Sequence, residues 1–478
     1  MSETKHKLGL FALIAMCIGS MIGAGLFALP QNVACKAGVI AILIAWIITF
    51  FGMLSLSKVF RSLATRCPDL DAGIYAYAKA GFGNYVGFSS AWGYWISVWV
   101  GNVGYIIMLC AAMSLFFPAF SDGTSLPSLI LSSTIIWSVT YLCVHGIRSA
   151  ALVNIITTAV KILPVIIFIV IAAYAFKWHI FTANIHNPWQ DVQLGSTANQ
   201  IKNMMLITVW VFIGIEGASV FSARAKNRQD IGRATIISFL VMFFILFAIS
   251  ILPFGILSQA ELATLQHPST GSVLAYVTGV WGNALMNIGL IISVLGAFLS
   301  WVLIAAEVPF VAGKKDGLFP KVFALENKNH FPVGALIITA LCEQIYLIIA
   351  HLYHAGYLVT ILFATAMILP PYLFAAAYSL MLSFTGKTYK NIDHKIRTKE
   401  LIISFIAVLY GIWLLYAAGK YLLLSSILYL IGSIIFIIHS KLKRQKVFEK
   451  HEMILFLIIG ILSIISVIIF VTQGITLE

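Results

Sequence analysis

Apolar residues run along this chain in long continuous blocks, separated by short polar stretches. Thirteen blocks lie near residues 8–30, 37–57, 85–117, 128–145, 149–176, 203–222, 233–257, 281–311, 333–351, 355–381, 399–418, 421–440 and 453–472. Each has about the 20 residues that a helix needs to cross hydrocarbon. Within lipid every amide must find its partner inside the protein, and a helix meets that demand alone. The pattern predicts an all-α integral membrane protein with thirteen transmembrane helices and no soluble domain of useful size. The first block counts as a span, because no small-residue cleavage site leads from it into a soluble region.

Two blocks are interrupted by residues that hold a helix badly. IGSMIGAGLF (18–27) has three glycines and a serine in ten positions, and WVFIGIEGASVF (210–221) sets Gly214, Gly217, Ala218 and Ser219 around a glutamate. Gly19 and Gly23 form a GxxxG, a pattern that also lets intact helices pack closely. Gly25 directly afterwards, and the matching interruption five helices later, favour unwound segments. Irregular backbone at membrane depth persists only where protein buries it or a cavity wets it. Interrupted spans at corresponding positions of two halves predict an inverted-repeat transporter whose substrate sits at the breaks. Broken ends offer amides with partial positive charge and carbonyls with partial negative charge. A zwitterion matches both, its α-carboxylate on the amides of Gly23, Ala24 and Gly25 and its ammonium on carbonyls from Ile18 to Ser20 and around Ile213.

Composition agrees with this class, at 61% hydrophobic and 10% charged residues. A net charge of +13 in a soluble chain would suggest a nucleic-acid partner. Here the cations follow topology instead. With loops alternating from an inside N-terminus, 25 of the 30 lysines and arginines fall on one side; Lys36, Lys177, Lys202 and Lys420 fall on the other, and Lys161 lies within a span. Cytoplasmic loops carry such an excess, so the N-terminus is expected in the cytoplasm, the C-terminus outside, and the cations against anionic membrane lipids. Six cysteines form no CxxC pair, His351 and His354 flank a short outer turn, and no Walker-type phosphate loop is present. No disulfide framework, metal site, cofactor or nucleotide driver is therefore expected, and no nucleic-acid partner.

Three stretches resemble a known family: GSMIGAGLFALP (19–30), WVFIGIEGAS (210–219) and SWVLIAAEVPFVAGKKDGLFPKVF (300–323). They are similar to the first-helix motif, the sixth-helix motif, and the eighth helix with its following loop in the amino acid/polyamine/organocation (APC) superfamily. Within it they resemble the basic amino acid/polyamine antiporters, such as arginine/ornithine or lysine exchangers. The resemblance extends from about residue 8 to 381 and more weakly through the last helices. It implies a leucine-transporter-like fold with unwound helices 1 and 6. Residues 1–381 would be a ten-helix transport core, an inverted repeat of 8–176 and 203–381, and residues 399–472 three additional helices. Most members have twelve spans, so the thirteenth departs from the commonest pattern. A bacterial-type inner membrane and an amino acid substrate are implied; protons and a homodimer stay open as further partners.

The resemblance also marks side chains. Trp210 and Trp301 match positions where arginine exchangers place aromatic gates, and an aromatic face attracts a cationic head, although tryptophan also gathers at membrane interfaces. Glu216, an acid beside the second break, would attract a cationic side chain or take a proton, unless backbone amides simply hold it. Glu307 would bind a distal ammonium or guanidinium, or reach the cytoplasmic edge. Lys161 stands mid-span with no acid within ten residues, where similar sodium-independent transporters keep a lysine in place of the cation. Its ammonium would pin the unwound backbone and could couple protons. Tyr94, Ser97, Val98 and Asn102 match the family's pocket wall, and 94, 98 and 102 are spaced i, i+4 and i+8. Thr365 on the tenth helix is a further contact. Glu343 has no matching motif.

The expectation is thus a secondary transporter that exchanges arginine, lysine or ornithine by alternating access, with no covalent chemistry. A proton-coupled symporter of neutral or broad-range amino acids, or a polyamine exchanger, shares every backbone feature. A channel would need rings of polar residues, and an enzyme would need clustered reactive groups; the sequence offers neither pattern.

Overall fold

The structure, a computed structural model, describes residues 9–70, 73–145, 150–186, 194–216, 226–328, 330–390 and 392–473, and no strand occurs among the described residues. The chain answers the lipid's demand for paired amides with helices throughout. The first span is two helices, α1 (Leu10–Met21) and α2 (Gly25–Ala34), bent by 46° at a three-residue break. Then follow α3 (Val39–Arg66), short α4 (Ile74–Phe82), α5 (Asn84–Met113), α6 (Leu126–Val144) and α7 (Ala150–Ala175). The short α8 (Trp178–His186) turns off the end of α7 by 86°. The second half begins with α9 (Thr197–Trp210) and continues through α10 (Arg228–Ile251), short α11 (Gln259–Ala263) and α12 (Ser269–Thr278). It runs on through α13 (Val280–Lys314), α14 (Val333–Leu352) and α15 (Tyr357–Thr385). Last come α16 (His394–Ala418), α17 (Lys420–Leu442) and α18 (Lys450–Gln473).

Among the described residues, ten helices are long and apolar enough to cross a membrane, and up to twelve spans result if each bent pair is one span. The sixth expected span, 203–222, opens as α9 and loses α-helical pairing beyond Val211, whose N–H still reaches Ile207 O. Gly217, Ala218 and Ser219 lie outside the described residues, as do the cations Lys5, Lys7, Arg148 and Arg224.

Four of the loops counted as one cation-rich side, at 58–79, 314–328, 387–399 and 441–450, meet at one end of the bundle. Lys79 pairs with Asp316, Arg66 with Glu400, and Lys443 Nζ donates to Gly317 O at 2.8 Å. At the opposite, cation-poor end, Gln259 Nε2 donates to the carbonyls of Ala34 and Ala37, each at 3.1 Å, joining the turn after α2 to α11.

The centre of the bundle is α5, in which every residue from Tyr85 to Ala112 is buried. A helix apolar on all sides belongs inside a protein, and α5 packs against α13 and α15 above all. At the other extreme, only 17% of the apolar window of α18 is buried. It is tied in at its first turn, where the Glu452 carboxylate accepts the Tyr85 N–H at 2.7 Å. A carboxylate there also meets the positive end of the α5 dipole.

Candidate functional site

The first break is a short loss of helix with close neighbours. Ile22 still donates to Ile18 O at 2.8 Å but its ψ of 90° leaves the helical region, and the Gly23 N–H turns back to Met21 O at 3.0 Å. The Gly23 amide, expected to be free, is therefore occupied. The carbonyl of Gly19 thereby loses its helical donor, and α2 begins with the open amides that any helix start presents. Ser293 of α13 hydrogen-bonds Ile22 O at 3.4 Å. Glycine is required here sterically: a Cβ on Gly23 would collide with the Tyr105 hydroxyl, and one on Gly25 would lie 2.9 Å from Trp210 Nε1.

The second break begins where α9 ends. Phe212, Ile213 and Ile215 donate to carbonyls three residues back, a tighter winding than the α-helix, and Gly214 takes φ +106°, which an L side chain rarely adopts. The two breaks touch: Ser20 Oγ lies 2.8 Å from Cys17 O and 3.0 Å from Gly214 O, so one hydroxyl proton serves both segments. A Cβ on Gly214 would come within 3.0 Å of the Ser20 backbone, so this approach too depends on glycine.

Glu216 closes the second break on itself. Its Oε2 accepts the Gly214 N–H at 3.1 Å and the Tyr372 hydroxyl at 2.8 Å, while Oε1 accepts the Tyr94 hydroxyl at 3.0 Å. The buried carboxylate thus joins the turn to α5 and α15. Fully satisfied hydrogen bonds are the condition under which a buried charge is tolerated.

Aromatic rings cover the breaks toward the cation-poor end. Trp210 donates from Nε1 to the Tyr357 hydroxyl at 3.1 Å and meets Tyr105 edge-on at 5.9 Å. Its five-membered ring abuts Gly25 and its six-membered ring abuts Gly101. His267, in the loop before α12, packs edge-on to Tyr357 at 5.7 Å, and burial pushes its imidazole pKa down to about 4. That ring is uncharged near neutral pH. Ser20, Tyr94, Trp210, Ile213 and Glu216 are all buried, so this arrangement is closed to solvent.

The residues of α5 that face the breaks are rotated from the expected stripe. Eight residues turn a helix about 80° beyond two full turns, whereas seven or eleven residues stay within about 20° of the starting face. Accordingly Tyr94, Gly101 and Tyr105 face the breaks, while Trp95, Trp99 and Asn102 face α14. Asn102 Nδ2 donates to Glu343 Oε1 at 2.8 Å, joining a predicted pocket residue to the acid that had no motif. Ser97 and Val98 are buried, and the Ser97 hydroxyl has no partner among the described residues. Thr365 Oγ1 is committed to Ile361 O of its own helix at 2.7 Å.

Trp301 is buried on α13. Lys161 is fully buried on α7, which packs against α1 and α13, and its Nζ has no hydrogen-bond partner among the described residues. Glu307 is exposed, away from the buried cluster. Among the described residues no group of histidines, cysteines or acids has the makings of a metal site. The reading of motifs missed Tyr105, Tyr357, Tyr372 and Ser293; only the first carries a sequence signal, lying eleven residues after Tyr94 on the same face of the helix.

The sequence matches the amino acid permease family over residues 8–418. It is 48% identical over 471 residues to an arginine/ornithine antiporter of Pseudomonas aeruginosa, covering 97% of each chain. It is also 42% identical to an arginine/agmatine antiporter of Chlamydia caviae, covering 99% of each, and 38% identical to one of Chlamydia trachomatis, covering 97% of this chain and 96% of that one. With its broken first helix, its tightened turn after α9 and this agreement along nearly its whole length, the chain belongs to the amino acid permease family of the APC superfamily.

Proposed function

We propose that the protein is an antiporter exchanging arginine for ornithine or a related cationic amino acid by alternating access. The observation that carries the reading is the meeting of two broken helices at Ser20 and Gly214, beside the open first turn of α2. In a chain similar from end to end to arginine antiporters, that meeting point is where a zwitterion fits. The substrate α-carboxylate sits on the amides of Ala24, Gly25 and Leu26, each such helix-end charge contributing about 0.3–2 kcal/mol. Its ammonium takes the carbonyls of Gly19, Ser20 and Ile213. Tyr94, Ser97 and Val98 form the wall, and Trp210 covers the site with Trp301 as a second aromatic face.

Other residues act on the site through neighbours. Glu216 holds the second break in shape, and Asn102 and Thr365 brace the wall through Glu343 and Ile361. Lys161 stands in for a cation against the unwound first helix, and losing its proton couples the cycle to pH. Glu307 serves the cation-rich entrance. Residues 1–381 form the transport core with repeats 8–176 and 203–381, and residues 399–472 flank it. The protein sits in a bacterial-type inner membrane with its N-terminus in the cytoplasm.

Proteoliposomes loaded in turn with arginine, ornithine, lysine, agmatine or leucine test this by the uptake of labelled arginine. Internal arginine and ornithine should accelerate uptake, with leucine inert. Stimulation by none of the cationic loads would remove the antiporter reading, and uptake driven by a pH gradient alone would replace it with a symporter.

A further inference from the structure

The cation-rich end holds a feature that exchange does not use. Between the last turns of α3 and the first turns of α16 lies a cleft of about 310 Å³, lined by Lys58, Arg61, Arg66, Lys399 and Glu400. Its one acid is already saturated. Arg66 donates Nε and Nη2 to Glu400 at 2.6 and 2.7 Å, and the Tyr389 and Ser62 hydroxyls donate at 2.6 and 2.7 Å. Lys58, Arg61 and Lys399 have no ion pair among the described residues. The Arg61 stem lies against Gly232 of α10, at a distance that only glycine permits. Three like charges thus lie together at the membrane edge with no ion-paired anion among the described residues.

The hollow does not end there. A second hollow, lined by Lys58, Lys395, Lys399, Ile402 and Ile403, adjoins the cleft. Ile402 then opens into a groove between α15 and α16 whose lining, including Ala377, Leu380, Phe384, Leu401 and Phe405, is wholly apolar. Cations above and an apolar channel running along the helices below match one kind of molecule.

We propose that this is a binding site for an anionic phospholipid, its phosphate among Lys58, Arg61 and Lys399 and one acyl chain along the groove between α15 and α16. A free anion leaves the groove unused, and a zwitterionic lipid brings an ammonium against three cations. The bound lipid ties the flanking α16 to α3, whose other contacts include α9 and α10.

Native mass spectrometry of the full chain in mild detergent tests the site with phosphatidylglycerol, phosphatidylcholine and inorganic phosphate as probes. Phosphatidylglycerol should bind in preference to phosphatidylcholine, and millimolar phosphate should not displace it. The double variant Lys58→Gln with Lys399→Gln should lower the preference on the order of tenfold, since each basic residue near an anionic surface carries substantial attraction. The pair Lys58→Arg with Lys399→Arg should keep it. Ala377→Trp, which fills the groove and leaves the cations untouched, should weaken phosphatidylglycerol binding as well. Equal binding of the two lipids, a preference that survives the glutamine pair, or no effect of Ala377→Trp would each overturn the proposal. Displacement by phosphate alone would reduce it to an anion site and overturn it equally.

Discussion

Glu216 offers a sharp test because its two simplest replacements separate shape from charge. Glu216→Ala removes the acceptor for the Gly214 N–H and for the hydroxyls of Tyr94 and Tyr372. A buried donor left without a partner costs about 1–3 kcal/mol, so three of them amount to about 3–9 kcal/mol. Glu216→Gln keeps one oxygen that can serve Gly214 and Tyr372, while its amide can donate to Tyr94 once that hydroxyl turns. What is lost is charge assistance, about 1 kcal/mol per bond, partly offset because a buried charge is no longer needed. If the carboxylate holds the second break in shape, the glutamine variant melts within a few degrees of the parent and retains most arginine exchange. The alanine variant should melt far lower and lose exchange. The assays are thermal unfolding in detergent, and labelled arginine exchange in proteoliposomes at matched protein content. A glutamine variant that melts like the parent but exchanges nothing would refute the structural role and return Glu216 to direct charge or proton chemistry.

Three other outcomes are expected. Gly25→Ala should slow exchange at least several-fold, since its methyl group meets the Trp210 indole, and adding Trp210→Phe should restore part of the rate; no interaction between the two changes would separate these residues. Lys161→Ala should remain folded and lose transport, and full activity at every pH tested would exclude its role in the cycle. Outside the spans, Glu261 caps α11, and the Ser258 hydroxyl and amide hold its carboxyl below the usual range. A lowered pKa stabilises fully above the unfolded value and is lost as pH falls through the folded one. The melting gap between the parent and Glu261→Gln should therefore narrow as pH falls through and below the ordinary glutamate range of about 4.3, and a constant gap would contradict the capping assignment.

Much of this architecture was legible because the lipid admits so few solutions. Block length gave helix limits such as 333–351 against Val333–Leu352 and 281–311 against Val280–Lys314, since a helix in hydrocarbon ends where apolar residues end. The first break was legible from its glycines together with the matching interruption around Gly214, but not the fate of its amides. Nothing in IGSMIGAGLF says that Gly23 turns back to Met21. Asn102 shows the other limit: a stripe counted in fours drifts around a long helix, so the residue reaches α14 rather than the breaks. Tyr372 and Tyr357 were invisible for a different reason. Each is an ordinary aromatic in an apolar helix, and only tertiary packing brings one hydroxyl to Glu216 and the other to Trp210.

The seat of Trp210 has a mechanical consequence. Its indole lies against Gly25 at one edge and Gly101 at the other and donates its N–H to the Tyr357 hydroxyl, so a change of rotamer alone would give up that hydrogen bond and both close approaches. Separating the backbones of α2 and α5 would free the ring without that loss, and would move the event from the nanoseconds of a side-chain hop to the microseconds or longer of a moving helix.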